Sequence, residues 1–267
     1  QLGGMSMFWK LVKYELQSIR KWYLGIYGIA ILLSIPLGLM LHKLIFTFEH
    51  SHEEPSLLFF AFFTLMVFAT IIVWGTIYIA TIVLIVRRFA QTVFGREGYL
   101  TNTLPVSAHQ LILSKLLVAF ILNTISSLVV LASIAIIAAF NIDFKDFLLT
   151  TSYLGQLLKE IGALYLVIPS TILGTISGIL FYYLCISIGN LFNTNKVLMG
   201  FVAYFAIQAI LFFISFFFGI GAALTGDATN TAINNSSYIF SLVQSLILIA
   251  ASYFGTYYIM TKRLNLD

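Results

Sequence analysis

LLFFAFFTLMVFATIIVWGTIYIATIVLIV, residues 57–86, runs for thirty positions without one charged side chain. A membrane-spanning helix needs about 20 consecutive apolar residues. The stretch mixes Leu, Ile, Val and Phe without strict alternation, so it reads as a helix rather than a barrel strand. It is long enough to tilt in the bilayer or to project beyond it.

Five further stretches have the same character: 23–41, 116–140, 161–189, 197–220 and 238–260. Whole-chain composition agrees. Of 267 residues, 60% are hydrophobic and 9% charged, against about 25% charged in soluble domains, and the mean hydropathy is +1.01. The expected fold is therefore all-α: a single polytopic membrane domain over 5–267 with six transmembrane helices. Gln1–Gly4 read as a cloning remnant ahead of Met5. No cleavable leader is expected after it, because the following stretch lacks a continuous apolar core and a small-residue cleavage site.

That stretch, "MFWKLVKYELQSIRKWY", places Lys10, Lys13, Gln17 and Arg20 on one polar stripe and Phe8, Leu11, Val12, Leu16 and Ile19 on the other side. Residues 6–21 are expected to form an amphipathic interfacial helix, its bases near anionic headgroups. It serves either as a positive-inside anchor or as an elbow that also supports a cytoplasmic partner. With the N-terminus inside, eleven of the fourteen Lys and Arg residues fall on the inner side, leaving Lys43, Lys145 and Lys159 outside. Basic residues are retained on the cytoplasmic face, so both termini are expected there, in a multi-pass protein of the cytoplasmic membrane.

None of the six stretches contains Asp, Glu, Lys, Arg or His. Intramembrane ionisable groups mark proton relays and ion paths, so the pattern argues against a proton-driven antiporter or pump. It equally argues against an intramembrane metalloprotease, which needs clustered His and Glu ligands, and against an aspartyl protease. No catalytic, cofactor-binding or metal-binding residue is expected on this chain. Cys185 is the only cysteine and reads as a small packed hydrophobe. The outer "EHSHEE" at 49–54 is either a solvated acidic loop or, less simply, a metal-binding one.

Neutral polar residues do occur inside the stretches. Asn123, Gln208 and Gln244 are candidates for a transport path, although helix-to-helix hydrogen bonding is the default role of such groups. Gly174 and Gly178 form a G-x-x-x-G strip behind Ser170, a pattern that permits close helix approach. Pro169 is expected to kink the fourth span.

The inner segment 87–114 is the longest between spans on the inner side. "RRFAQTVFGREGYLTNTL" can make a short helix broken by Gly95 and Gly98, tipped by Arg96 and Glu97, with Phe94, Tyr99 and Leu100 on its apolar side. Ser107 and Gln110 have the spacing of a capping box, so the next helix should start near 105–107. Two readings fit: a helix–turn–helix that docks into a cytoplasmic protein, or a plain basic connection.

"FGREGYLTNTLPVSAHQLILSKLL", with the elbow, the six spans, the basic inner face and "FYYLCISIGNLFNTNK" closing the fourth span, resembles the permease subunits of the type-2 family of bacterial ABC exporters. The resemblance implies that Phe94, Gly95, Arg96, Glu97, Gly98, Tyr99 and Leu100 form a coupling helix seated on a separate ATPase subunit. It implies two ATPase copies, which bind ATP and Mg, and a second permease copy or a related permease. It implies membrane lipids as surroundings and no nucleic-acid partner. This chain has no G-x-x-x-x-G-K-[ST] phosphate loop, whose backbone amides cradle phosphates, so it is expected to be no enzyme by itself. The family's long extracellular domains are absent. The expected cargo is hydrophobic or amphipathic: a peptide, a lipid or a drug. The alternatives are a secondary transporter, which would show inverted repeats and coupling-ion ligands at mid-membrane, and a non-transporting scaffold or sensor subunit.

Overall fold

A computed structural model describes residues 2–50, 56–94, 108–141, 163–192, 195–224 and 231–262. Among them are six helices: α1 (Leu2–His50), α2 (Leu57–Val93), α3 (Ala108–Ala139), α4 (Ala163–Gly189), α5 (Lys196–Leu224) and α6 (Thr231–Lys262). All six are long and apolar enough to cross a membrane. The chain is thus a multi-pass, all-helical protein.

Two boundaries differ from expectation, and the third, the start of α3, agrees with it to within a residue. Residues 2–22 are helical and run unbroken into the first span, so the expected elbow shares one element with it. The side chains of 2–22, and with them the polar stripe, lie outside the described residues. The segment after Arg87 is the end of α2 rather than a separate short helix. α3 begins at Ala108, directly after Ser107, and takes in His109 and Lys115, the latter buried. Charged side chains do not by themselves end a helix, since Lys and Arg are good helix formers. The 37 residues of α2 make about 55 Å of helix at 1.5 Å per residue, well beyond a hydrocarbon core of about 30 Å.

Hydroxyl groups inside such helices need acceptors, since lipid offers none. α2 satisfies them along itself. Thr64, Thr70, Thr76, Thr81 and Thr92 each donate to the carbonyl four residues earlier, at 2.7–2.9 Å. Pro36 and Pro169 are carried inside α1 and α4 without ending either helix.

The chain divides into two compact units: Gln1–Leu84 with Ile121–Tyr153, and Ile85–Phe120 with Leu154–Asp267.

In the first unit, hydroxyl relays tie three helices together. The hydroxyls of Tyr27 (α1) and Ser126 (α3) lie 2.8 Å apart, and those of Ser126 and Thr81 (α2) 3.0 Å apart. Tyr23 also donates to Thr81, at 3.4 Å. Each hydroxyl has one proton, and Thr81 gives its own to the Ile77 carbonyl. The direction is therefore fixed: Tyr27 to Ser126, Ser126 to Thr81, Thr81 to the α2 backbone. A second relay follows. The Trp74 indole donates to Ser133 at 3.0 Å. Ser34 donates to the Ala30 carbonyl at 2.7 Å, and the Ser133 hydroxyl lies within hydrogen-bond reach of both Ser34 and that same carbonyl. Further along, a Cβ on Gly38 would come 2.6 Å from the Phe140 ring, and Asn141 donates to the Gly38 carbonyl at 3.3 Å. Here α1 and α3 are held nearly backbone to side chain.

In the second unit α4 is central, packing most on α6 and also on α5. The α4–α5 turn is tight. A Cβ on Gly189 would sit 2.5 Å from the Lys196 carbonyl oxygen and 2.8 Å from the Gly200 nitrogen. Asn195 turns the chain with a φ of 56°, a left-handed conformation that Asn tolerates better than other non-glycine residues, and its carbonyl accepts from the Met199 amide at 3.0 Å. Gly255 lets α6 close on Leu184, 2.7 Å from where a Cβ would stand. Among the described residues of this chain a Cβ added at Gly174 or Gly178 of the G-x-x-x-G strip would meet nothing within 4 Å, and the close approaches are made at Gly189, Gly200 and Gly255.

Candidate functional site

The second unit contains two structures on opposite faces of α4. One is a packed cluster holding both ends of the 95–107 connection. The other is a pocket.

The cluster is built from Ile85, Phe89 and Val93 of α2, Ile112 and Ala119 of α3, Ile179, Leu180 and Tyr183 of α4, and Met260 of α6. The Phe89 ring stacks on Tyr183 with centroids 3.9 Å apart and planes within 9°. Phe94 closes the last turn of α2 through its amide to Ala90 and meets Phe89 edge-on at 6.3 Å. On the far side of the connection, His109 lies in the first turn of α3. Its ring stacks on Tyr257 of α6 at 4.2 Å, and its Nδ1 is 2.5 Å from the Tyr253 hydroxyl. The outgoing end of the connection is thus fastened to α4 and the returning end to α6, each by an aromatic stack. Of the expected coupling residues, Phe94 joins this cluster, while Gly95, Arg96, Glu97, Gly98, Tyr99 and Leu100 lie outside the described residues.

The pocket has a volume of about 340 Å³ and lies among α4, α5 and α6. Gln208 of α5 and Gln244 of α6, two of the three residues singled out for a path, both line it. Ser177, Gly178 and Phe181 form the α4 wall, and Phe212 and Ser215 extend the α5 wall. Neither glutamine makes a hydrogen bond among the described residues. Ser177 donates to the Gly174 carbonyl at 2.8 Å, so its proton is committed and its oxygen can still accept. Among the described residues the lining contains no ionisable group, so these side chains suit a neutral molecule. The third path residue, Asn123, belongs to the first unit, where its carbonyl accepts from Ser127 at 3.0 Å.

Successive helix residues turn by about 100°. Ile176, Ile179, Leu180 and Tyr183 therefore point one way, and Ser177, Gly178 and Phe181 nearly the other. On α6, Ile249, Tyr253, Tyr257 and Met260 serve the cluster, and Gln244 and Leu248 the pocket. The same two helices wall both features.

His109, Tyr183, Tyr253 and Tyr257 were not candidates on sequence. The pair of tyrosines four apart on α6 was the available signal, since side chains at i and i+4 share a face. Cys185 is a buried free thiol, as its apolar setting suggested. Among the described residues no group of three or more His, Cys, Asp or Glu gathers; residues 51–55 of the acidic stretch lie outside them.

No family model, curated protein or solved structure matches this chain.

Proposed function

We propose that this chain is the membrane subunit of an ATP-driven ABC exporter of the bacterial cytoplasmic membrane, with both termini inside. A separate ATPase subunit would dock on the inner loop 87–114 and drive a hydrophobic or amphipathic cargo across. The reading draws on the resemblance of "FGREGYLTNTLPVSAHQLILSKLL" to type-2 permeases, and one structural observation carries it further. Both ends of the loop are stacked onto α4 and α6, through Phe89–Tyr183 and His109–Tyr257, and those helices also wall the pocket. Packed interiors transmit displacement rather than absorb it. A push delivered to the loop therefore reaches the pocket walls through rigid aromatic contacts.

Co-purification tests the partner: a tagged chain expressed in its native host should bring down a subunit carrying a phosphate loop. In that complex the double substitution Arg96→Ala, Glu97→Ala should leave membrane insertion intact while ATP hydrolysis no longer moves cargo. A chain that purifies without any nucleotide-hydrolysing companion, or a double variant that transports normally, refutes the reading.

A further inference from the structure

We propose that the pocket among α4, α5 and α6 is a binding site for an uncharged secondary amide with an apolar or aromatic flank, such as the backbone of a blocked hydrophobic peptide. A primary amide facing lipid with no partner is costly. This open groove is lined by two, the exposed Gln208 and the half-buried Gln244, on different helices, and neither makes a hydrogen bond among the described residues. Each offers two N–H donors and a carbonyl acceptor, and a secondary amide presents the complementary donor and acceptor at fixed spacing. The rest of the lining suits the flank. Phe181 and Phe212 supply aromatic faces, and Gly178 leaves open the space a side chain would fill. A charged ligand is disfavoured, since no ionisable group lines the pocket among the described residues and an unpaired charge in low dielectric is far costlier than an amide. A hydrocarbon chain alone would leave both amides unsatisfied. The volume of about 340 Å³ sits at the lower end of small-molecule sites, enough for one or two residues of such a peptide.

As the class of cargo, this rests on the proposed export role; as a binding site, it does not. The test accordingly uses the full chain in lipid nanodiscs with no ATP and no partner. The probe is N-acetyl-phenylalanine N-methylamide carrying a diazirine on its ring. The control is the same aryl diazirine with both amides replaced by methylene chains. Labelled positions are mapped by peptide mass spectrometry. The amide probe should label segments around 177–181, 208–215 and 244–248, and excess unlabelled N-acetyl-phenylalanine N-methylamide should compete it away. Gln208→Leu with Gln244→Leu should cut that labelling about tenfold, the size expected for losing two neutral hydrogen bonds, and leave the hydrocarbon control unchanged. Gly178→Leu fills the pocket from a position where a Cβ meets nothing, and should block both probes. This variant keeps the test valid if the double glutamine variant inserts poorly. Equal labelling by the hydrocarbon control, or amide labelling insensitive to the glutamines, makes the pocket a lipid groove and overturns the inference. So does no labelling at all, which would leave the export reading standing.

Discussion

Glycine-to-alanine substitutions along α4 and α5 should sort by what each new methyl group meets. Alanine is favoured over glycine in a helix interior by about 0.5–1 kcal/mol, so substitution starts with that gain in full at Gly178 and Gly200 and only in part at Gly189, the last residue of α4. At Gly189 the Cβ would lie 2.5 Å from the Lys196 oxygen, 2.8 Å from the Gly200 nitrogen and 2.9 Å from the Gly200 Cα. All three are backbone atoms, and none can rotate away. Overpacking costs about 1–3 kcal/mol, and a clash with backbone belongs at the upper end. Net destabilisation at Gly189 is then about 2 kcal/mol, or roughly thirtyfold in local opening. At Gly200 the Cβ would stand 3.3 Å from the Cys185 oxygen, a contact that a small shift relieves, so gain and cost nearly cancel. At Gly178 only the gain remains. Cys185 reports all three. It is the only cysteine in the chain, and it is buried. The rate at which a membrane-permeant thiol reagent modifies it, followed through a detergent titration, measures how often the α4–α5 region opens. The order should be Gly189→Ala fastest, Gly200→Ala near the parent, and Gly178→Ala equal or slower. Comparable acceleration by Gly178→Ala and Gly189→Ala would refute the reasoning.

Other consequences follow from the same contacts. Replacing Ser126 by Ala removes the middle of the relay from Tyr27 to Thr81 and should destabilise the folded chain by about 1 kcal/mol, at about 0.6 kcal/mol per interhelical bond in lipid. Combined with Tyr27→Phe, which deletes the stranded hydroxyl, the loss should be less than additive; strict additivity in a detergent-unfolding cycle would remove the Tyr27–Ser126 bond. Changing His109 to Ala abolishes both the stack on Tyr257 and the bond to Tyr253. Limited proteolysis within 95–107 should quicken several-fold with helix content by circular dichroism unchanged. Tyr253→Phe keeps the ring and loses only the hydroxyl, so its effect should be smaller; an equal effect would place the fastening in the hydrogen bond rather than the stack. Phe89→Ala should destabilise by about 3–5 kcal/mol, because the ring is 1% exposed and stacked on Tyr183, and a thermal-aggregation assay in detergent should register it as a marked loss.

The six helices were legible because length and hydropathy alone settle them, and a bilayer leaves the backbone few alternatives. Their ends were not. Arg87 and Arg88 look like a boundary, yet α2 continues through them because doing so buries Phe89 and Val93. Glycine spacing misled for a related reason. Gly174 and Gly178 share a face by periodicity, but nothing in the sequence says whether a helix lies opposite that face. Gly189 and Gly200 share no periodicity and meet only once the hairpin is formed. Polar residues in apolar runs were the better guide. Gln208 and Gln244 come together, although the same signal at Asn123 led into the other unit.

These cases have one physical cause. In water, hydrophobicity distinguishes a buried face from an exposed one. In lipid that contrast vanishes, because the surroundings are as apolar as the core. α5 demonstrates the loss: its span is more hydropathic than that of α4, yet it is the least buried of the six, with Phe201, Phe205, Phe212, Phe213 and Phe217 all exposed. What specifies packing instead is the minority of hydroxyls, amides and glycines. Ser34, Ser126 and Ser133 are fully buried, as are Ser187, Ser252 and Thr256, and the relays through the first three join residues up to 99 positions apart. Such partners leave no trace at short range in the sequence. A polar side chain in an apolar run therefore marks a place where packing is decided without saying what it meets: Ser126 finds Tyr27 and Thr81, whereas the buried hydroxyls of Ser252 and Thr256 find no partner among the described residues.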